Sequence, residues 1–258
     1  MRRKNGQVRK VLVIPDVQIP FEDKLSLKAV ERYMSDERWD EVIYLGDFLD
    51  FHQLAKFTQD VPEALCKTLQ DDYSVANAIL DRHQQIVRKR NPRAKWTYLV
   101  GNHEDRVRRF SDKHPQLKGI IDVDVNLKLK ERGFKVVWSY PKGEVHKIGK
   151  ALFHHGLYTG GNHAKKMVDA FGMSIFYGHV HDIQLHSKVI FGSDTSVVGQ
   201  SLGCLCRPDL DYVGLNPTNW EQAVTTFYFR PNGIPNYYIS TIKNHSFVAP
   251  NGKVYDAN

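Results

Sequence analysis

Five short clusters of polar residues carry the side chains in this chain that could do chemistry. They are Asp16 with Gln18, Asp47 with Asp50, Asn102 with His103, His154 with His155, and His179 with His181. The set is carboxylate, amide and imidazole, with no cysteine and no Ser-His-Asp arrangement in it. Such donors suit Mn, Fe, Zn or Mg better than thiophilic metals. They are too many for one tetrahedral ion but suit two ions sharing a bridging carboxylate. Ions about 3.5 to 4 Å apart polarise phosphoryl oxygens and hold a hydroxide in line with a leaving oxygen. His52, His83, His114, His146, His163, His186 and His245 lack this placement and are given no role.

Each cluster follows an apolar run of strand length: Val11 to Ile14, Val42 to Leu45, Trp96 to Val100, Ala151 to Phe153, and Ile175 to Tyr177. Runs rich in β-branched and aromatic residues and bounded by Gly or Pro read as buried strands. Helix-length stretches, Lys24 to Arg38 and Pro62 to Arg90, separate the first three and suffice for right-handed crossovers between parallel strands. Open sheets place ligand-binding groups beyond the carboxyl ends of their strands, so the five clusters should converge on one site. Gly46, Gly101 and Gly178 precede the donors, where a tight turn favours a residue without Cβ.

From Phe134 onward the runs crowd together: Phe134 to Trp138, Glu144 to Phe153, Leu185 to Phe191 and Thr195 to Val198, with one helix near Asn162 to Phe171. Ala223 to Arg230, Asn236 to Ile242 and Ser246 to Tyr255 alternate aromatic and polar residues around Pro-Asn-Gly turns. The pattern predicts an α/β fold with a two-sheet β-sandwich core flanked by helices. It reads as a single domain over 1–258 with a β-rich C-terminal part from about 185 to 258.

With 258 residues, 41% hydrophobic and 25% charged, the composition is that of a globular protein, which excludes disorder and fibrous repeats. Apolar runs of four or five residues are far too short to cross a bilayer, and the basic Met1 to Gly6 segment lacks the apolar core of a secretory signal. A cytoplasmic protein is expected. Lys plus Arg is 36 against 29 for Asp plus Glu, and the resulting +7 favours an anionic, phosphate-bearing partner. Of Cys66, Cys204 and Cys206, the last two could share a metal, but no second Cys/His pair accompanies them. Buried thiols are the simpler reading.

The clusters resemble the signature of the calcineurin-like metallophosphoesterase superfamily, bacterial and phage-encoded members in particular. The match runs from Asp16 to His181 through Gly46-Asp47-x-x-Asp50, Gly101-Asn102-His103-Glu104, His155-Gly156 and Gly178-His179-x-His181. The resemblance implies that Asp16, Gln18, Asp47 and His181 surround a first ion, and Asp47, Asn102, His155 and His179 a second. Asp47 would bridge them. It makes His103 the general acid and Asp50 the residue that orients its ring. His155 fits better than His154 because the motif histidine directly precedes glycine. Gln18 departs from the pattern, which has histidine there. An amide oxygen leans the first site toward Mn or Mg, and a similar glutamine occurs in a branch resembling manganese-dependent ADP-ribose/CDP-alcohol diphosphatases. Two divalent ions, Mn first among the candidates, are the expected cofactors.

On the substrate side, Arg106 and Arg109 share a helix face and could clamp non-scissile phosphates; a solvated basic face paired with Glu104 and Asp105 is the simpler reading. The basic stretch Arg82 to Lys95 suits a helix end. His154, Tyr158, Tyr212 and Trp220 could line a substrate wall, the aromatics stacking on a base or serving only as core. The leading expectation is a phosphodiesterase or nuclease that cuts nucleic acid or nucleotide phosphoesters by metal-bridged hydroxide attack. A phosphomonoesterase, a nucleotide diphosphate hydrolase and a non-catalytic binding scaffold are the alternatives. A sheet edge leaves room for a homodimer.

Overall fold

Alternation along the apolar runs divides them between two hydrophobic clusters and so decides the layers. The computed structural model describes residues 6–55, 68–189, 192, 196–209 and 218–258. In it β1 (Arg9–Ile14), β2 (Glu41–Tyr44), β3 (Lys95–Leu99) and β4 (Phe134–Val137) pair side by side in parallel. Successive side chains on a strand face opposite ways. Leu12, Ile14, Val42, Tyr44, Trp96 and Tyr98 therefore meet the helical layer, α1 (Lys24–Asp36) and α2 (Leu69–Arg90). Val11, Val13, Ile43, Leu45 and Leu99 point instead into the space between two sheets. Asp23 caps α1, and a Thr68–Asp71 capping box starts α2. The expected helix from Pro62 thus begins later among the described residues, and 62–67 lie outside them.

The second sheet has β5 (His146–Ile148), β6 (Ala151–His154), β7 (Ser174–Tyr177), β8 (Leu185–Val189) and β9 (Ser196–Ser201), ordered β5-β6-β7-β9-β8. β6, β7 and β9 are parallel. The run Glu144 to Phe153, expected as one piece, is a β5/β6 hairpin, because Gly149 and Lys150 turn the chain between Ile148 and Ala151. Residues 190, 191 and 195, to which two expected runs extended, lie outside the described residues. α6 (His163–Phe171) crosses from β6 to β7, packing Met167 and Val168 on Leu152, Ile175 and Tyr177. On the inner face Phe153 and Phe176 meet Phe227, with ring centroids 5.1 and 4.7 Å away.

Phe227 belongs to β10 (Ala223–Phe229), which returns to the first sheet antiparallel to β1, followed at the edge by β11 (Pro235–Thr241). A small hairpin, β12 (Phe247–Val248) with β13 (Val254–Tyr255), sets Tyr255 against Tyr33 of α1. Three short helices complete the first layer: α3 (Asn102–Lys113), α4 (Val123–Asn126) and α5 (Ser139–Lys142). The architecture is the expected α/β one, two sheets face to face with helices outside. No helix among the described residues is long and apolar enough to cross a membrane.

The two sheets are also joined by one buried polar knot. Glu41, which starts β2, is ion-paired with Arg9 and accepts hydrogen bonds from Thr97 Oγ1 and His146 Nε2, each at 2.7 Å. Burial alone would raise its carboxyl pKa, but His146 and Arg9 outweigh that and hold it below the usual range.

Candidate active site

Strands β1, β2, β3, β6 and β7 run so that their carboxyl ends share one edge of the sandwich, and all five polar clusters emerge there. The backbone turns sharply as it leaves the strands. Asp16, Gln18, Asp47, His179 and His181 all have left-handed φ angles, between 33° and 73°. Such a conformation costs roughly 1–3 kcal/mol per residue and persists where surrounding structure imposes it.

Two groups result. In one, Asp47 Oδ2 lies 3.1 Å from His155 Nε2, which is 2.8 Å from Asn102 Oδ1, and the His179 ring lies 5.1 Å from that of His155. Asp47, His155 and His179 offer ligand atoms that all lie within 4.8 Å of one another. In the other, His181 Nε2 is 3.4 Å from Asp16 Oδ1 and 3.1 Å from Gln18 Nε2, while Asp16 Oδ1 accepts the His179 main-chain N–H at 3.0 Å. Asp16 Oδ2 is buried with no hydrogen-bond partner among the described residues. A carboxylate oxygen in that position is costly unless a cation meets it. The donor chemistry and this orphan oxygen fit divalent ions.

Two glycines are needed here for space. A Cβ on Gly178 would stand 2.1 Å from Asp16 Oδ2, and one on Gly101 2.1 Å from Asp47 Oδ1. Each lets a carboxylate lie directly against the backbone of another strand end.

Electrostatics sort the imidazoles. Burial opposes charge on His103 and His155, but Asp47 beside both, and Asp50 beside His103, raise each to about 9. Burial would raise Asp47, yet the same histidines hold it far below the usual carboxylate range. Burial, reinforced by His155, pushes His179 down to about 3, leaving it neutral with a lone pair to give. His103 stands at the rim, its Nε2 3.7 Å from Asp47 Oδ2.

The neighbouring residues divide. His154, the last residue of β6, is turned the other way from His155 that follows it, against Phe171, and its Nδ1 accepts the Gly156 N–H at 2.9 Å. Burial lowers it to about 4. Arg106 donates from Nη1 to the main-chain oxygens of Asp50 and Phe51, both at 3.1 Å, bracing the loop under His103. Arg109 is exposed and pairs with Asp105 at 3.0 Å. Tyr158 is half-buried against the cluster of Leu152, Met167 and Val168. The basic stretch from Arg82 to Lys95 runs into the start of β3, at the opposite edge of the sheet from these clusters. Tyr212 and Cys66 lie outside the described residues.

Sequence reasoning missed Glu104, His163 and Asp182. Glu104, read as a surface acid, is buried and gathers the site: its carboxylate accepts the N–H groups of Asp47 (3.0 Å), Phe48 (2.8 Å) and Gly101 (2.9 Å) and the Tyr98 hydroxyl (2.8 Å). Burial and Asp47 raise its pKa. The signal was present, since a glutamate three residues after a helix N-cap reaches back to the cap N–H. His163, given no role, bonds through Nδ1 to the Tyr177 hydroxyl at 2.7 Å and through Nε2 to Asp182 at 3.0 Å. His163 and Asp182 line an open groove of about 440 Å³ beside His179, with Gln184, Asn219 and Trp220. Trp220 sets its indole edgewise on His181, centroids 4.3 Å apart.

The family model for calcineurin-like phosphoesterases matches residues 9–182, which takes in all five clusters. The chain belongs to that family. As a calcineurin-like phosphoesterase it is a metal-dependent phosphoester hydrolase, and the family generally binds two divalent metals. Among curated proteins it is similar to the Gene 54 protein of Mycobacterium phage D29, 23% identical over 227 residues covering 83% of this chain and 87% of the phage protein. The Gene 54 protein of Mycobacterium phage L5 is likewise 23% identical, over 234 residues with the same coverage. Among solved structures it is similar to vacuolar protein sorting 29 from Cryptosporidium parvum, at 12% identity and a TM-score of 0.48, covering 98% of this chain and 97% of that one.

Proposed function

We propose that this phosphoesterase is a phosphodiesterase acting on nucleic acid or nucleotide phosphoesters. The observation that carries the reading is the convergence of seven donors and the His103 imidazole on a single strand edge beside an open groove. In this reading Asp16, Gln18, Asp47 and His181 hold a first ion, and Asp47, Asn102, His155 and His179 a second, with Asp47 shared. When bound, the ions polarise the phosphoryl oxygens and activate the attacking water. Manganese suits the oxygen-rich first group.

His103 then gives its Nε2 proton to the leaving oxygen. Asp50 beside Nδ1 favours the charged ring that carries this proton and sets the direction of transfer. His155 Nδ1 donates to the Leu45 main-chain oxygen at 3.0 Å, which directs Nε2 toward Asp47 and Asn102, where a bound ion would take the place of its proton. The groove beside His179 has room for one nucleoside, with the Trp220 indole at its wall. The +7 charge supports a polyanionic substrate.

The test is hydrolysis of labelled single- and double-stranded oligonucleotides by metal-stripped protein, with Mn, Mg or Zn restored and His103→Ala as control. Manganese-dependent cutting lost in the variant is the expected result. Turnover of p-nitrophenyl phosphate in preference to bis-p-nitrophenyl phosphate, with no oligonucleotide cut, would overturn the diesterase reading.

A further inference from the structure

A sixth strand ends at the same edge, and its side chains take no part in the chemistry above. β9 is parallel to β7 and stops at Ser201, so the residues after it arrive behind His181. Cys204 and Cys206 are two apart in extended chain, each tied by a bridge, Cys204 to Gln222 and Cys206 to Glu22. Leu205 between them enters the helix-side core, leaving both thiols on the other face. Cys206 Sγ lies 3.8 Å from His181 Nδ1. The two sulfurs and a ring nitrogen of His181 all lie within 4.8 Å of one another, and all three residues are buried. Ligands on one tetrahedral zinc-sized ion stand about 3.5–3.8 Å apart, so a small inward shift closes the triangle. The second ligand pair that the sequence lacked for these cysteines is supplied in part by His181, 23 residues earlier.

We propose that Cys204, Cys206 and His181 Nδ1 form a separate site for a thiophilic cation, and that filling it expels the first catalytic ion. This rests on reading His181 as a ligand of that ion. A neutral imidazole has one lone pair and one N–H. His181 presently aims Nε2 at Asp16 and Gln18, the oxygen-rich side, and Nδ1 at the sulfurs. A cation taken on Nδ1 leaves the proton on Nε2, which then donates to Asp16 where the first ion needs a lone pair. The two cations compete for one ring, and the antagonism is reciprocal. Hard cations prefer the carboxylate face and soft ones the thiolate face, so the ring reads the softness of the available metal.

The probe is Cd²⁺, added to the full-length, metal-stripped chain and then to the Mn²⁺-loaded chain. Thiolate-to-cadmium charge-transfer absorption reports sulfur ligation, and the electron paramagnetic resonance signal of free Mn²⁺ counts manganese released. The expected result is one charge-transfer step saturating at one equivalent, with at least tenfold weaker binding of one of two Mn²⁺. Cys204→Ser and Cys206→Ser should each abolish the step and retain both Mn²⁺, while Cys66→Ser changes neither. The ¹¹³Cd resonance of the wild-type protein identifies mixed sulfur and nitrogen ligation without any variant. Absence of the charge-transfer step, its persistence in both cysteine variants, or bound cadmium with both Mn²⁺ retained would each overturn the proposal. Failure of the underlying reading is seen separately, as Mn²⁺ binding without cadmium that His181→Ala leaves unchanged.

Discussion

His103 is held twice by Asp50: its Nδ1 lies 2.7 Å from the Asp50 main-chain oxygen and 3.2 Å from the Asp50 carboxylate. The first contact orients the ring and the second supplies charge. His103→Ala should therefore lower kcat by about 10²- to 10⁴-fold with metal content unchanged. Asp50→Asn keeps the main-chain contact and should cost only about tenfold. It also removes one of the two charges that raise His103. The proton donor is then lost at lower pH, so the alkaline limb of kcat/KM should move down. A pH–rate profile of both proteins checks the split; an unmoved limb would mean that His103 is not the group titrating.

Glu104 is the inward anchor of the edge, and its removal strands the N–H groups of Asp47, Phe48 and Gly101. Glu104→Ala should destabilise the fold by roughly 3–5 kcal/mol. Glu104→Gln, which retains one acceptor oxygen but turns an NH₂ toward donors, should cost about 2–3 kcal/mol. Urea unfolding measures both, and manganese titration should show weaker binding in the same order, because Asp47 is positioned through its own main chain.

Gln18 sits 3.1 Å from His181 Nε2, where an imidazole would present nitrogen instead of an amide. Gln18→His should tighten one of two ions by about tenfold and shift preference from Mn toward Zn or Fe. Metal content after dialysis and the activation profile across Mn, Mg, Zn and Fe read this directly. An unchanged profile would remove Gln18 from the ligand set.

Far from this edge, the Glu41–His146 contact joins the two sheets. The folded-state pKa of Glu41 is lowered, so its contribution is fully present above about 4.5 and is lost as pH falls through the lower folded value. His146→Ala should cost about 2–4 kcal/mol at neutral pH, with Arg9 and Thr97 still on the carboxylate. The difference between variant and wild type should shrink as Glu41 protonates. Thermal unfolding between pH 3 and 7 tests the sign.

By itself the sequence determined the strand ends and what they carry. Apolar runs of three to five residues, each followed within two residues by Asp16, Asp47, Asn102, His155 or His179, are local facts, and so were the helices between them. Only the tertiary structure decided which groups meet. Gln18 and His181 are 163 residues apart and face each other only because β1 and β7 lie in opposed sheets. His154 and His155 have the same chemistry, and the end of β6 sends one to Phe171 and the other to Asp47. Arg106, as basic as its neighbours, is recruited to the Asp50 loop rather than left for solvent. Cys204 and Cys206 read as inert thiols until β9 aligned with β7 and set them behind His181. Periodicity dictates elements because a few neighbouring residues determine it, whereas a ligand set is a long-range contact that exists only after the sheets have packed.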